Sequence, residues 1–195
     1  MVAVVTIMAL LLGASIQGLG DSGAQARQVA TDSLLGLLDQ ARASAIASRS
    51  VVVLAVAEPG DLACGDERCR LGLFMIKEWL ADPGTLDGTL VGRWQALPSG
   101  VVMVPGSVSG LRNPLDEAAI TMHFLAGNQP RQAQFHILAF TPRGALLWPA
   151  GSDPLALRIA EGNYRGGHPC ASTRSGAETR IRLGRTMARA YQFER

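Results

Sequence analysis

Charge is scarce in this chain. Asp, Glu, Lys and Arg make up 17% of the 195 residues, against 48% apolar ones. That excludes a disordered chain and leaves material for one ordinary domain plus an appendage. Lysine is nearly missing, with Lys77 the only one. The formal net charge of +2 is spread out, and only Thr179 to Arg195 is locally basic, through Arg180, Arg182, Arg185, Arg189 and Arg195. No aromatic residues interleave with a dense Lys/Arg block, so nucleic acid is not an expected partner. Catalytic signatures are missing as well. There is no G-x-S-x-G nucleophile elbow and no His-Glu-x-x-His. His123 and His136 fall inside strand patterns, and Glu58, Asp61, Asp66 and Glu67 read as a solvated acidic loop. No enzyme and no cofactor is expected, and no internal repeat is visible.

Cysteine is also sparse, and its count of three is odd. Intramolecular disulfides alone cannot absorb it. Cys64 and Cys69 flank Gly-Asp-Glu-Arg, and either bridge in an oxidising compartment or stand as thiols. With His168 and Cys170 they could nominally form a zinc set, but C-x4-C and H-x-C are not common metal spacings, so no metal is expected.

One stretch lacks charge altogether. Met1 to Ile16, MVAVVTIMALLLGASI, has only Thr6 and Ser15 as polar side chains, and both can bond back to a helix carbonyl. A membrane span needs about 20 apolar residues, and this run falls slightly short. No basic n-region precedes it, unlike a secretory signal. The run predicts a membrane-seated helix. Gly18, Gly20 and Gly23 follow as a glycine hinge, since each costs a helix about 1 kcal/mol relative to Ala. Gly18 to Gly23 also spells G-x-G-x-x-G, with Asp39 downstream as a dinucleotide fold would have it. The preceding run is too long for one strand and no βαβ alternation follows, so the hinge reading is preferred.

From Ala24 a helical period sets in. Ala30, Leu34, Leu37, Leu38, Ala41 and Ala45 share one face, with Asp32 and Asp39 opposite. This amphipathic helix, residues 24–50, is expected to dock on the head through Leu34, Leu37, Leu38, Ala41 and Ala45. The period then shortens. Strands are predicted at 51–57, 71–79, 90–97, 101–104, 119–125, 134–140, 145–148, 155–160, 178–183 and 187–193, between Pro- and Gly-rich turns. Two long polar loops are expected, at 106–116 and 161–176. Strands that follow a helix without alternating with others indicate α+β. The predicted fold is a long amino-terminal α-helix, apolar half plus amphipathic half, packed on an antiparallel β-sheet or β-sandwich head. Residues 1–23 form the apolar membrane or filament helix with its hinge, and residues 24–195 form the head, β-rich over 51–195.

These elements together resemble the type IV pilin-like proteins, and most closely the GspH/FimT group of minor pseudopilins and the related pilin-like Verru_Chthon cassette protein D family. Val2 to Leu12 is similar to the family's apolar amino-terminal helix. Leu37 to Leu54 is similar to the helix-to-strand junction carrying an "AR-x-x-A-I" segment. Leu97-Pro98-Ser99-Gly100-Val101 is similar to the "LP-x-GV" turn, and Phe140 to Gly144 to the "F-x-P-x-G" turn. Thr179 to Glu194 matches a closing hairpin turned at Gly184. The family's prepilin-peptidase site, a Gly, an N-methylated Phe and then a Glu, has no counterpart here. Met1 would fall just after that Glu, so that either the start lies upstream of Met1 or the leader has been lost. The resemblance implies a non-enzymatic subunit of a type II secretion or type IV pilus-like filament. Its partners would be other pilin-like subunits, met through the amino-terminal helix, and inner-membrane lipid before assembly, with the head in the periplasm. A membrane-anchored periplasmic binding or adhesin-like module that never polymerises is the alternative.

Overall fold

The computed structural model describes residues 22–60, 68–79, 84–126, 129–174 and 176–193. Helix α1 runs over Ser22–Ser48 and stops where Arg49 adopts a left-handed conformation, φ 52°. Strands follow: β1 (Val51–Ala57), β2 (Arg70–Ile76), β3 (Thr85–Leu90), β4 (Gln95–Ala96) and β5 (Val101–Met103). After a 3-10 turn at Pro114–Asp116 come β6 (Ile120–Ala126), β7 (Gln129–Phe140), β8 (Leu146–Trp148), β9 (Leu155–Arg165), β10 (His168–Ala171), β11 (Glu178–Leu183) and β12 (Ala190–Phe193).

Five of these strands close into a barrel. The order is β1-β2-β3-β6-β7, and β7 pairs back onto β1 with Leu54 opposite Leu138. Strand side chains alternate between faces, so each barrel strand has an inward and an outward set. Val53 and Ala55 of β1, Phe74 and Ile76 of β2, Met122 and Phe124 of β6, and Phe135 and Ile137 of β7 fill the interior. Rings dominate that filling. Phe74 lies edge-on to Phe124 and Trp94 at centroid separations of 5.4 and 5.5 Å, an arrangement favoured by the ring quadrupoles. Gly72 makes room for this cluster, because a Cβ there would sit 2.7 Å from Cζ3 of Trp94.

The second sheet has the order β10-β9-β11-β12, with β5 also paired to β9. Its apolar face carries Leu155, Leu157, Ile159, Ile181 and Leu183. That face and the barrel's outward residues Val52, Leu54, Leu73, Leu138 and Phe140 enclose one core, into which α1 projects Ala30, Leu34, Leu37, Leu38, Ala41 and Ala45. Thr31 is buried on the same side, and its hydroxyl donates to the Arg27 carbonyl at 2.9 Å, which satisfies it. Asp32 and Asp39 are exposed.

The structure corrects the expected fold class. Among the described residues strand far outweighs helix, and α1, at 27 residues, is their one α-helix. The head is a closed five-stranded barrel with a second sheet, not a single antiparallel sheet or sandwich, and the expected apolar half of the helix lies outside the described residues. Closure depends on a parallel β3–β6 pair, Leu86 opposite Met122, which a row of strand patterns cannot reveal. Two strand assignments change with it. Thr85–Leu90 is β3, whereas the predicted 90–97 strand keeps only the two-residue β4. The polar stretch expected as a loop at 161–176 holds the end of β9 and all of β10.

The transmembrane helix and single-pass inner-membrane location are corrected too. Among the described residues no helix is long and apolar enough to cross a membrane. Helix α1 carries Arg27, Asp32, Asp39 and Arg42, each of which is costly in hydrocarbon. The uncharged run Met1 to Ile16, with hinge residues Gly18 and Gly20, lies outside the described residues. Gly23 is within α1, where its missing side chain admits the Glu161 carboxyl.

Burial of the α1 stripe has a direct test. Leu38→Asp puts an unpaired charge in the shared core and is expected to destabilise the fold by about 3 kcal/mol or more. Asp39→Ala, one residue on and exposed, should change stability by about 0.5 kcal/mol or less. Urea denaturation of the two variants beside the parent chain measures both.

Candidate functional site

The outward face of the second sheet holds the best-defined polar cluster. Arg158 on β9 meets Glu178 on β11 through two parallel hydrogen bonds, Nε to Oε1 at 3.0 Å and Nη2 to Oε2 at 2.7 Å. Arg180, two residues along β11 and so on the same face, donates Nε to the same Oε1 at 2.9 Å. Arg158 also donates to the Pro105 carbonyl at 3.0 Å. Two guanidiniums thus fix one carboxylate. The hydrogen bonds from Arg158 hold the Glu178 carboxyl below its ordinary range, and the same bonds raise the Arg158 guanidinium above its own.

Beside this cluster a cavity of about 740 Å³ opens between the first turns of α1 and the β11–β12 hairpin. Arg27 and Gln28 come from the helix, Arg174 from the β10–β11 connection, Arg180 from β11, and Gln192 and Phe193 from β12. Arg27 is tied to its neighbours by a hydrogen bond to the Gly176 carbonyl and an ion pair with Glu161 at 3.5 Å. Arg174 is exposed, and among the described residues its side chain makes no hydrogen bond or ion pair.

A second cavity, about 480 Å³, lies on the barrel wall that neither α1 nor the second sheet covers. There the parallel β3–β6 pair places Asp87 opposite His123, with His123 Nδ1 3.2 Å from the Asp87 carboxylate. Lys77 and Arg131 also line it. The sequence pattern marks His123 as an ordinary strand histidine; its partner is hidden there because β3 itself is hidden. After β8, Arg112 and Arg185 grip the 149–153 turn through the carbonyls of Ala150, Pro149 and Asp153. Burial, then repulsion from Arg112, lowers the Arg185 guanidinium from its ordinary value.

The cysteines fall apart in space. Cys64 lies outside the described residues, so the Cys64–Cys69 bridge does too. Cys69 is fully buried just before β2, beside the Tyr164 phenol, which accepts from the Met103 amide at 3.3 Å and is pushed upward in pKa by its burial. Cys170 is exposed on β10 next to His168. Among the described residues no group of three His, Cys, Asp or Glu side chains is placed to hold a metal. The G-x-G-x-x-G stretch lies mostly outside the described residues.

The Glu178 cluster gives a pH-dependent test. A carboxyl held low contributes stability in full above its unfolded value, near 4.5, and loses it as pH falls through the lower folded value. Glu178→Gln is therefore expected to cost about 1 kcal/mol at neutral pH, allowing for solvent screening of a partly exposed group. The gap to the parent should narrow as pH is lowered through the carboxylate range, as denaturation midpoints at a series of pH values will show. Comparison of the chain with models of protein families, with curated proteins and with solved structures finds no match.

Proposed function

We propose that this chain is a non-enzymatic, pilin-like subunit of a filament of the type II secretion or type IV pilus kind. The observation that carries this reading is the division of labour along α1. Its apolar stripe is taken up by docking on both β units, while its outer face leaves Val29 and Ile46 exposed, at 52% and 44%. In sequence the helix is preceded, across Gln17 to Asp21, by the uncharged run Met1 to Ile16. An uncharged apolar run of that kind offers surface that is stabilised by burial against further copies of itself. The ordered motifs at Leu37 to Leu54, Leu97 to Val101 and Phe140 to Gly144 support the same reading. A β-rich head rigidly attached to a helix suits a subunit whose work is complementarity to its neighbours.

The test is photo-crosslinking from the helix in the cells that make the protein. A photoreactive residue at Val29 is expected to give adducts with further copies of this chain or with pilin-like subunits, identified by mass spectrometry. The same group in place of Thr121, on the barrel wall away from the helix, serves as comparison. Adducts from neither position, or from Thr121 alone, would contradict the proposal.

A further inference from the structure

The Arg-lined cavity beside α1 has features that filament assembly through the helix does not use. Its lining carries three guanidiniums, Arg27, Arg174 and Arg180, against one carboxylate, Glu178. Glu178 is already engaged by two arginines and has little accepting capacity left for a ligand. Arg27 is held by the Gly176 carbonyl and Glu161, and Arg180 by Glu178, so both line the cavity with fixed positions. Arg174 is unengaged among the described residues. At about 740 Å³ the space is within the range of ligand-binding clefts. Guanidinium forks match the two oxygens of a carboxylate. The amides of Gln28 and Gln192 can pair with a peptide backbone as donors and acceptors alike.

We infer that this groove binds an acidic peptide segment of a partner protein, with Arg174 and Arg180 taking its carboxylates and Arg27 setting the wall between them. A nucleic-acid strand fits the groove less well. The excess positive charge is small and local, whereas a phosphate backbone rewards a continuous track of cations. Among the described residues Phe193 is the only aromatic side chain lining it, so successive bases have no stacking platform. The inference is independent of the filament proposal, since an acidic segment can dock here whether or not the chain polymerises.

The test uses the full chain and a fluorescein-labelled hexaglutamate peptide followed by fluorescence anisotropy. Hexalysine and a 12-nucleotide single-stranded DNA run in parallel. Saturable binding of hexaglutamate that weakens with salt is expected, with no binding of hexalysine. Arg174→Glu is expected to weaken the peptide at least tenfold. Gln192→Glu, on the opposite wall, should weaken it at least threefold; both positions are exposed, and circular dichroism checks that each variant folds. Arg143→Glu, an exposed cation in the β7–β8 turn, should leave affinity within twofold. The inference is overturned if hexaglutamate does not bind, if the DNA binds more tightly than the peptide, or if Arg143→Glu costs as much as Arg174→Glu. It is equally overturned if folded Arg174→Glu and Gln192→Glu both bind like the parent.

Discussion

Strand β1 is buried on both faces, and barrel, shared core and docked helix are all built upon it. Val53 and Ala55 point into the barrel, and Val52, Leu54 and Val56 point into the core shared by α1 and the second sheet. The same strand is hydrogen-bonded on both edges, to β2 and to β7. Few positions in a chain this size can meet that demand. The run VVVLAVA does so because every residue is apolar and most are β-branched, suiting a pleated strand with no solvent side. Closing the barrel removes the edges that an open sheet of this length would expose. It also gives the barrel an outer wall apolar enough, along β1, β2 and β7, to receive a helix.

From that strand the molecule divides into a covered and an uncovered half. On the covered side, α1 and the second sheet bury the outward residues of β1, β2 and β7. On the other, β3 and β6 turn Asp87, Thr121, His123 and Leu125 to solvent, where Leu125 is 62% exposed. The second sheet repeats the scheme, with aliphatic residues inward and Arg158, Glu178, Arg180 and Arg182 outward. Because the helix lies between the barrel and this sheet, its amino-terminal turns come up against the charged end of β11. This places Arg27, a helix residue, with Arg174 and Arg180, which are about 150 positions away in sequence. The proposed assembly role and the proposed acidic-segment groove thus meet at the place where the helix joins the head.

How much of this can be read from the residues follows from which interactions are local. The face of α1 is legible, because Ala30, Leu34, Leu38, Ala41 and Ala45 repeat at helical spacing, and all are buried. Most strand centres are legible from β-branched runs cut by Pro and Gly. Barrel closure is not, because it rests on the β1–β7 and β3–β6 pairings between segments tens of residues apart, and one of those is parallel. β3 is hidden because Thr85, Asp87, Gly88 and Thr89 look like a loop; only Leu86 and Leu90 turn apolar side chains inward. The end of β9 is hidden similarly by Glu161, Gly162 and Asn163. Gly162 is needed there because a Cβ would come within 2.3 Å of the Cys170 carbonyl on β10. Of the Arg groove, the basic tail gives a hint at Arg180, but nothing in the helix pattern sets Arg27 apart from a solvated flank residue.

Amide hydrogen exchange reads the double burial of β1 residue by residue. If β1 joins two cores and is bonded along both edges, the amides of Val52 to Val56 should be among the slowest in the chain and exchange only on global unfolding. The β3 and β6 amides of the uncovered wall should exchange faster, through local opening. Exchange of β1 amides at the rate of β3 would mean that the barrel does not close on β7, and would contradict both the shared core and the docking of the helix upon it.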